Sequence, residues 1–174
     1  MLGDAWREHV RWCARLRQGY LVEAGDGLIV RVRARLPAPP EPGAAWLTLK
    51  ATPPGAPAAS LPRLEFDYPI PVSDGEALLS LTPRQLNKWR YGLDLAGGDW
   101  VLDVFEDANA PLVVAEVELA DAAQPLDVPG WCVREITGRH ELSNAALAST
   151  PFQNWSREAR EQLWPYRGPG GGGA

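Results

Sequence analysis

The chain has 174 residues, of which 22 are acidic and 17 are basic, so its net charge at neutral pH is −5. This length suits one domain with a sizeable core, and the acidic balance excludes an overall electrostatic attraction to nucleic acid or to an anionic membrane. Cys13 and Cys132 are far apart in sequence with no histidine at ligand spacing, which argues against a disulfide scaffold and against a thiolate metal site.

The hydropathy of the chain indicates the cellular compartment in which the protein is expected. No apolar run approaches the roughly 20 residues of a membrane span. Charged residues occupy several of the first ten positions, where a signal peptide would be apolar. We therefore expect a cytoplasmic protein with one domain over residues 1–165 and a flexible glycine-rich tail over residues 166–174.

Short runs of alternating apolar and polar residues follow one another along the chain, which is the pattern of strands. The predicted strands are Ala14–Val22, Leu28–Ala34, Ala45–Ala51, Arg63–Pro71, Gln85–Leu95, Trp100–Glu106 and Leu112–Leu119. Helical patterns occur at Asp4–Cys13, Asp74–Leu81, Ser143–Ser149 and Ser156–Leu163, with Ser73 and Ser156 as candidate N-caps. The connections between strands are short, which predicts a mainly antiparallel meander.

Charged residues recur on one side of many of these strands. In Val30-Arg31-Val32-Arg33 the side chains alternate, so both arginines share one face and both valines share the other. The same alternation places further charges on the side of their strand opposite to apolar neighbours: Lys50, Glu65, Lys88, Arg90, Asp103, Glu116 and Glu118. An ordinary antiparallel sheet with one wet face would also alternate in this way.

The charges are also separated by sign, because some strands carry mainly bases and others mainly acids. A sheet that curled into a closed barrel with these residues inside would have a cationic wall facing an anionic wall. Burying so many charges costs several kcal/mol per ion unless each ion is paired or binds something. A polyphosphate with a divalent cation would supply both partners, since bases bind phosphate oxygens and carboxylates bind hard cations.

The strings that carry these charges resemble the CYTH superfamily, the triphosphate tunnel metalloenzymes, from Gly3 to about Trp155. The matching strings are Arg17-Gln18-Gly19-Tyr20-Leu21, Val30-Arg31-Val32-Arg33, Leu47-Thr48-Leu49-Lys50, Arg63-Leu64-Glu65-Phe66-Asp67-Tyr68, Lys88-Trp89-Arg90-Tyr91, Trp100-Val101-Leu102-Asp103-Val104-Phe105, Ala115-Glu116-Val117-Glu118-Leu119 and Glu135-Ile136-Thr137-Gly138. The resemblance implies a mainly β (α+β) fold, an eight-stranded antiparallel tunnel-type barrel with flanking helices. It also implies hydrolysis of inorganic triphosphate, or of a related triphosphate compound, with Mg²⁺ or Mn²⁺ as cofactor.

The resemblance further implies roles for individual residues. The expected triphosphate ligands are Arg31, Arg33, Lys50, Lys88 and Arg90, and the expected metal ligands are Glu116, Glu118, Asp103 and Glu65. Glu116 and Glu118 are the best metal candidates, because adjacent inward positions on one strand can share a cation. For any one of these residues, a structural ion pair is the alternative.

Several alternatives remain open from the sequence. A class IV-type adenylate cyclase and a non-catalytic polyphosphate- or nucleotide-binding module would use the same tunnel. The substrate is left open among inorganic triphosphate, thiamine triphosphate and ATP. No nucleic-acid or membrane partner is expected, and a homodimer is left open.

One expected string is absent from the printed sequence. Members of the family begin with a strand of the form Glu-x-Glu-x-Lys, whereas Gly3-Asp4-Ala5-Trp6-Arg7 is similar to the segment that follows it. A start assigned too late or a shortened version is the expected explanation, with true loss of the strand as the alternative. The catalytic residues of that strand are therefore unknown here, and the expected barrel would lack its first strand.

Overall fold

The computed structural model describes residues 3–23, 27–38, 40–51, 64–119, 121 and 124–163. Its strands are β1 (Val10–Glu23), β2 (Ile29–Arg35), β3 (Ala44–Ala51), β4 (Leu64–Ile70), β5 (Gln85–Leu93), β6 (Asp99–Phe105) and β7 (Val113–Glu118). The helices are α1 (Val72–Ser80), α2 (Asn144–Ser149) and α3 (Arg157–Glu161), with 3₁₀ turns at Ala5–His9, Asp107–Asn109, His140–Leu142 and Phe152–Asn154. All of the predicted strands are confirmed, and the predicted glycine-rich tail lies outside the described residues.

The strands form one antiparallel sheet in the order β4-β3-β2-β1-β5-β6-β7. Strands that follow each other in the chain pair throughout, except β4 and β5, because β5 pairs with β1 instead. The expected closed eight-stranded barrel is not observed: over the described residues the sheet has seven strands and ends at β4 and β7. Residues 132–139 contain no strand, and a cavity of about 660 Å³ is lined by this segment and by β7.

Strand β1 is longer than predicted and includes residues predicted to be helical. The helix predicted at Asp4–Cys13 is wrong, because a 3₁₀ turn spans Ala5–His9 and the strand begins at Val10. Trp6 and Val10 have helical spacing, but Val10 pairs with Leu93 of β5. Pairing with β5 satisfies the backbone donors and acceptors that a helix would have satisfied locally, and it outweighs the weak helical propensity.

The three other predicted helices are confirmed, with shorter or shifted bounds. Ser156 is the N-cap of α3, and its side chain accepts a hydrogen bond from the backbone N–H of Ala159. Ser73 is not a cap: α1 begins one residue earlier, after Pro71, and has no side-chain cap. Proline provides a fixed extended backbone before the helix, so the helix begins without a capping side chain. No helix in the described part of the chain is long and apolar enough to cross a membrane.

Helices cover different parts of the two faces of the sheet. On one face, α1 packs against Val32 and Ala34 through Leu79. On the opposite face, α2 packs through Leu147 against a cluster that includes Tyr20 of β1. The remainder of that second face is therefore not covered by α2, and its residues form the candidate site.

The contact between α1 and β3 gives the first testable prediction. Gly75 is buried against Ala45, and a Cβ atom at Gly75 would lie 2.5 Å from the Ala45 Cβ. Gly75→Ala should lower the free energy of unfolding by about 1–2 kcal/mol, because so close an approach places the overpacking cost in the upper part of its range of about 1–3 kcal/mol, and helix propensity offsets only about 1 kcal/mol of it. Urea unfolding measures this, with exposed Glu76→Ala as the control; a Gly75→Ala protein as stable as the parent would contradict the close packing.

Candidate anion-binding site

The strand register places the predicted charged side chains on one face of the sheet. Arg31 lies directly opposite Thr48 of β3, and Arg90 lies directly opposite Asp103 of β6. Opposed residues of antiparallel strands share a face, so the alternation can be followed from strand to strand. The resulting charged face carries Arg31, Arg33, Lys50, Glu65, Asp67, Lys88, Arg90, Asp103, Glu116 and Glu118. The predicted charged residues therefore share one face, although over the described residues this face belongs to an open sheet and not to a closed lumen.

A buried carboxylate holds together the part of this face formed by β5 and β6. Asp103 is 1% exposed and accepts a hydrogen bond from the Lys88 ammonium at 2.6 Å. Arg90 donates to both oxygens of the same carboxylate, at 2.7 Å each. Lys88 is fully buried and also donates to Asn144 of α2 at 2.9 Å. The Lys88 ammonium is thus bound to protein groups and has no exposed surface.

The environment changes the pKa values of this cluster. Burial lowers the pKa of Lys88 to about 8, although the charge of Asp103 opposes this effect. Burial alone would raise the pKa of Asp103, but the hydrogen bonds from Arg90 and the charge of Lys88 outweigh it and lower that pKa. Asp103 is therefore ionised at neutral pH and serves as the shared counter-ion of two bases.

Arg31 and Arg33 on β2 are paired much less completely. Arg31 donates to the Thr48 hydroxyl at 2.9 Å, but its nitrogen is 3.8 Å from the Glu65 carboxylate. Its Nε atom is buried and has no hydrogen-bond partner. Arg33 approaches Asp67 only to 3.6 Å, outside ordinary hydrogen-bond distance. These two guanidinium groups therefore have donors that a ligand can use.

Two other positive charges lie close to Arg33 and favour the binding of an anion there. Burial lowers its pKa, and the neighbouring charges of Arg31 and Arg90 lower it further. Asp67, which the sequence analysis did not assign to the site, partly offsets this repulsion. Its place in the alternating string with Glu65 was the signal that pointed to it. A bound polyanion would relieve the repulsion between the guanidinium groups much more completely.

Lys50 and Glu65 lie together at the β4 side of the face. The Lys50 ammonium donates to the Glu65 carboxylate at 2.8 Å, and both side chains are partly exposed. Glu65 lies on β4 and Glu116 lies on β7, at opposite ends of the strand order. Glu65 thus belongs to the basic side of the face, whereas the other predicted metal ligands lie on β6 and β7.

Glu116 and Glu118 occupy neighbouring positions of the charged face on β7. Glu116 is half-exposed and accepts a hydrogen bond from Arg90 at 3.2 Å. Glu118 lies directly opposite Asp99 of β6, a carboxylate that the sequence analysis did not single out. Within the described residues, no three carboxylate, thiolate or imidazole groups are close enough to hold a metal ion by themselves.

Asp103 generates the second prediction. Asp103→Asn should lower the free energy of unfolding at pH 7 by about 3–5 kcal/mol, because it leaves Lys88 and Arg90 buried without their counter-ion. The pKa of Asp103 is lower in the folded protein, so its stabilisation is present above its ordinary pKa of about 4 and is lost as pH falls through the folded value. The variant should therefore lose less stability than the parent on acidification.

Urea unfolding at pH 7 and at lower pH tests both parts of this prediction. Asp107→Asn is a suitable control, because the Asp107 carboxylate is exposed and accepts a hydrogen bond from the uncharged amide of Asn87. Equal stability of Asp103→Asn and the parent at pH 7 would show that the buried ion cluster does not stabilise the fold.

Sequence similarity to known proteins bears on the family of this chain. No protein-family model matches the chain, and no solved structure matches it. An inorganic triphosphatase from Acetivibrio thermocellus is 32% identical over 155 residues, which cover 88% of this chain and 91% of that protein. A relationship at this level over nearly the whole of both chains shows common ancestry, and the chain belongs to the CYTH superfamily of inorganic-triphosphatase-like proteins.

Proposed function

We propose that the protein hydrolyses inorganic triphosphate or a related triphosphate compound on the charged face. The observation that carries this proposal is the pair Arg31 and Arg33, two largely buried guanidinium groups whose carboxylate neighbours lie 3.6–3.9 Å away, beside a third, Arg90. The similar protein from Acetivibrio thermocellus, named an inorganic triphosphatase, supports the same chemistry. In the reaction, a water oxygen bonds to the terminal phosphorus, and the bond to the bridging oxygen breaks.

The basic residues have two different tasks in this proposal. Arg31 and Arg33 bind phosphate oxygens through their free donors, and Lys50 at the edge of the face can add a third contact by leaving Glu65. Arg90 contributes positive charge while it remains bonded to Asp103. Lys88 keeps this pair in place and does not contact substrate, because its ammonium is fully buried and bound to protein oxygens.

The carboxylates on β7 fit a hard divalent cation. Glu116 and Glu118 are adjacent on the charged face, and Asp99 lies opposite Glu118. Like charges directly opposite each other destabilise a sheet, so a cation between them would remove a repulsion. Mg²⁺ and Mn²⁺ prefer oxygen ligands and are often held by one or two carboxylates together with substrate phosphates. Such a cation would neutralise charge on the phosphate oxygens, while Arg31 and Arg33 orient the chain of phosphates.

A phosphate-release assay tests the proposed reaction. The folded protein is incubated with inorganic triphosphate and Mg²⁺, and then with Mn²⁺ in its place. Release of phosphate that stops on chelation of the cation is the expected result. Binding of triphosphate without any turnover would instead favour a non-catalytic binding module.

Arg33→Ala should weaken triphosphate binding by about 10- to 150-fold, the equivalent of losing a charge-assisted contact of roughly 1.5–3 kcal/mol. The free energy of unfolding should stay unchanged or rise slightly, because removing Arg33 relieves repulsion with Arg31. Calorimetric titration and urea unfolding measure the two effects separately. Arg15→Ala is the matched control, since Arg15 lies on the opposite face and pairs with Glu106; equal losses in both variants would refute the site.

Glu116→Gln should lower metal-dependent turnover by about 10–100-fold, because the amide keeps the shape of the side chain and removes its charge. Glu116 is half-exposed, so the fold should be unaffected. The rate is measured over a range of Mg²⁺ concentrations, where weakened metal binding appears as a shift to higher concentration. Glu161→Gln on the exposed face of α3 is the control. An unchanged Mg²⁺ dependence in Glu116→Gln would place the cation elsewhere.

A further inference from the structure

A buried threonine on β3 lies between a base on β2 and an acid on β4. Thr48 is fully buried, and it lies directly opposite Arg31 on one side and Asp67 on the other. The three side chains therefore form a row across three neighbouring strands of the charged face. Neighbouring strands are about 4.8 Å apart, so the residue at position 48 determines what separates this arginine from this carboxylate.

The Thr48 hydroxyl bonds to both of these neighbours. It accepts a hydrogen bond from the Arg31 guanidinium at 2.9 Å and donates its own hydrogen to the Asp67 carboxylate. A hydroxyl has one hydrogen to donate, so these two bonds fix its orientation. The same Arg31 nitrogen is 3.9 Å from the Asp67 oxygen that Thr48 contacts, which is beyond hydrogen-bond distance. The hydroxyl thus occupies the place where a direct contact between guanidinium and carboxylate would form.

Other bases of the same face show the arrangement that forms without an intervening hydroxyl. Arg90 and Asp103 lie directly opposite each other on adjacent strands, and the guanidinium donates to both carboxylate oxygens at 2.7 Å. Such a bidentate pair uses donors that would otherwise be available to phosphate. At the next position of this face on β3, Lys50 also meets its carboxylate directly, at 2.8 Å from Glu65. Arg31 differs from both bases because a hydroxyl separates it from the carboxylate in its row.

On its other side, Arg31 again meets a neutral hydroxyl. Tyr20 of β1 lies directly opposite Arg31, is buried, and accepts a hydrogen bond from the guanidinium. Burial raises the pKa of Tyr20 to about 12, although the charge of Arg31 opposes this effect, so the phenol is uncharged at neutral pH. The buried amide of Gln18 donates to the same phenol oxygen at 3.4 Å. Hydroxyls on β1 and β3 thus hold the guanidinium without neutralising its charge.

We propose that Thr48 is a positioning residue, which keeps Arg31 from closing onto Asp67 and so leaves this guanidinium available to phosphate oxygens. The inference rests on the proposed triphosphatase function and adds to it a residue that does not contact substrate, since Thr48 is fully buried. A carboxylate paired directly with Arg31 would compete with phosphate for the same donors. The hydroxyl instead separates the two charges and holds the guanidinium in one orientation before the ligand arrives.

A double-mutant cycle between positions 48 and 67 tests this role. Affinity for inorganic triphosphate is measured by calorimetric titration without divalent cations, on protein that urea unfolding shows to be folded. Thr48→Val keeps the shape of the side chain and removes the hydroxyl, so Arg31 can close onto Asp67, and binding should weaken about tenfold. Thr48→Ser keeps the hydroxyl and should bind within about twofold of the unmodified protein, although loss of the methyl group lowers its stability.

Asp67→Asn distinguishes the positioning role from the simple loss of a hydrogen bond. The amide removes one negative charge near Arg31 and Arg33, so by itself it should strengthen triphosphate binding about threefold. In the Thr48→Val background it also removes the competing carboxylate, and there its effect should be about tenfold larger than in the unmodified protein. Equal effects of Asp67→Asn in the two backgrounds would overturn the proposal.

Thr82→Val is the matched control, because Thr82 is also a buried threonine and its hydroxyl bonds to backbone groups of Tyr20 and Arg84. This variant should lose stability and keep its affinity for triphosphate. If Thr48→Val binds triphosphate as tightly as the unmodified protein does, the positioning role is refuted while the triphosphatase proposal stands. Failure of the unmodified protein to bind triphosphate refutes both.

Discussion

The charged face depends on one buried carboxylate. Asp103 receives hydrogen bonds from Lys88 and from both ends of the Arg90 fork, and this charge-assisted pairing offsets the cost of placing three ions in or near the interior. The same Lys88 ammonium bonds to Asn144 and so joins α2 to the sheet. Since α2 also covers one end of the charged face, the ion cluster determines which part of that face stays open.

How closely a charge is paired distinguishes the charges that stabilise the fold from those that are available to a ligand. Around Asp103 the donors and acceptors are matched at hydrogen-bond distance, and the cluster is nearly free of solvent. Around Arg31 the nearest carboxylates remain close to 4 Å away, and a buried donor has no partner. An unsatisfied buried donor is costly, and a bound ligand that accepts its hydrogen bond is one way to remove that cost. Incomplete pairing with carboxylates, and not burial alone, therefore distinguishes the proposed anion site from the cluster around Asp103.

The sequence predicted the charged face because side-chain alternation is a local property. In Val30-Arg31-Val32-Arg33 the side of each residue follows from strand geometry alone. The partners of each charge were not predictable, since Asp103 meets Arg90 only through the register of β5 on β6, and Asn144 reaches Lys88 only through the docking of α2. The position of Trp12 in a strand was not predicted for a different reason. Trp12 lies in a segment with helical spacing, and pairing with β5 makes that segment a strand.

The length of β1 determines which side chains lie beside the cationic part of the charged face. A strand of the predicted length would have begun at Ala14, opposite Arg90, and would have provided backbone only beside the cationic centre. The observed strand continues past that level to Trp12, and Gly92 leaves room for the indole to lie on the sheet. The same extension that completes the pairing with β5 thus adds an aromatic surface next to the arginines.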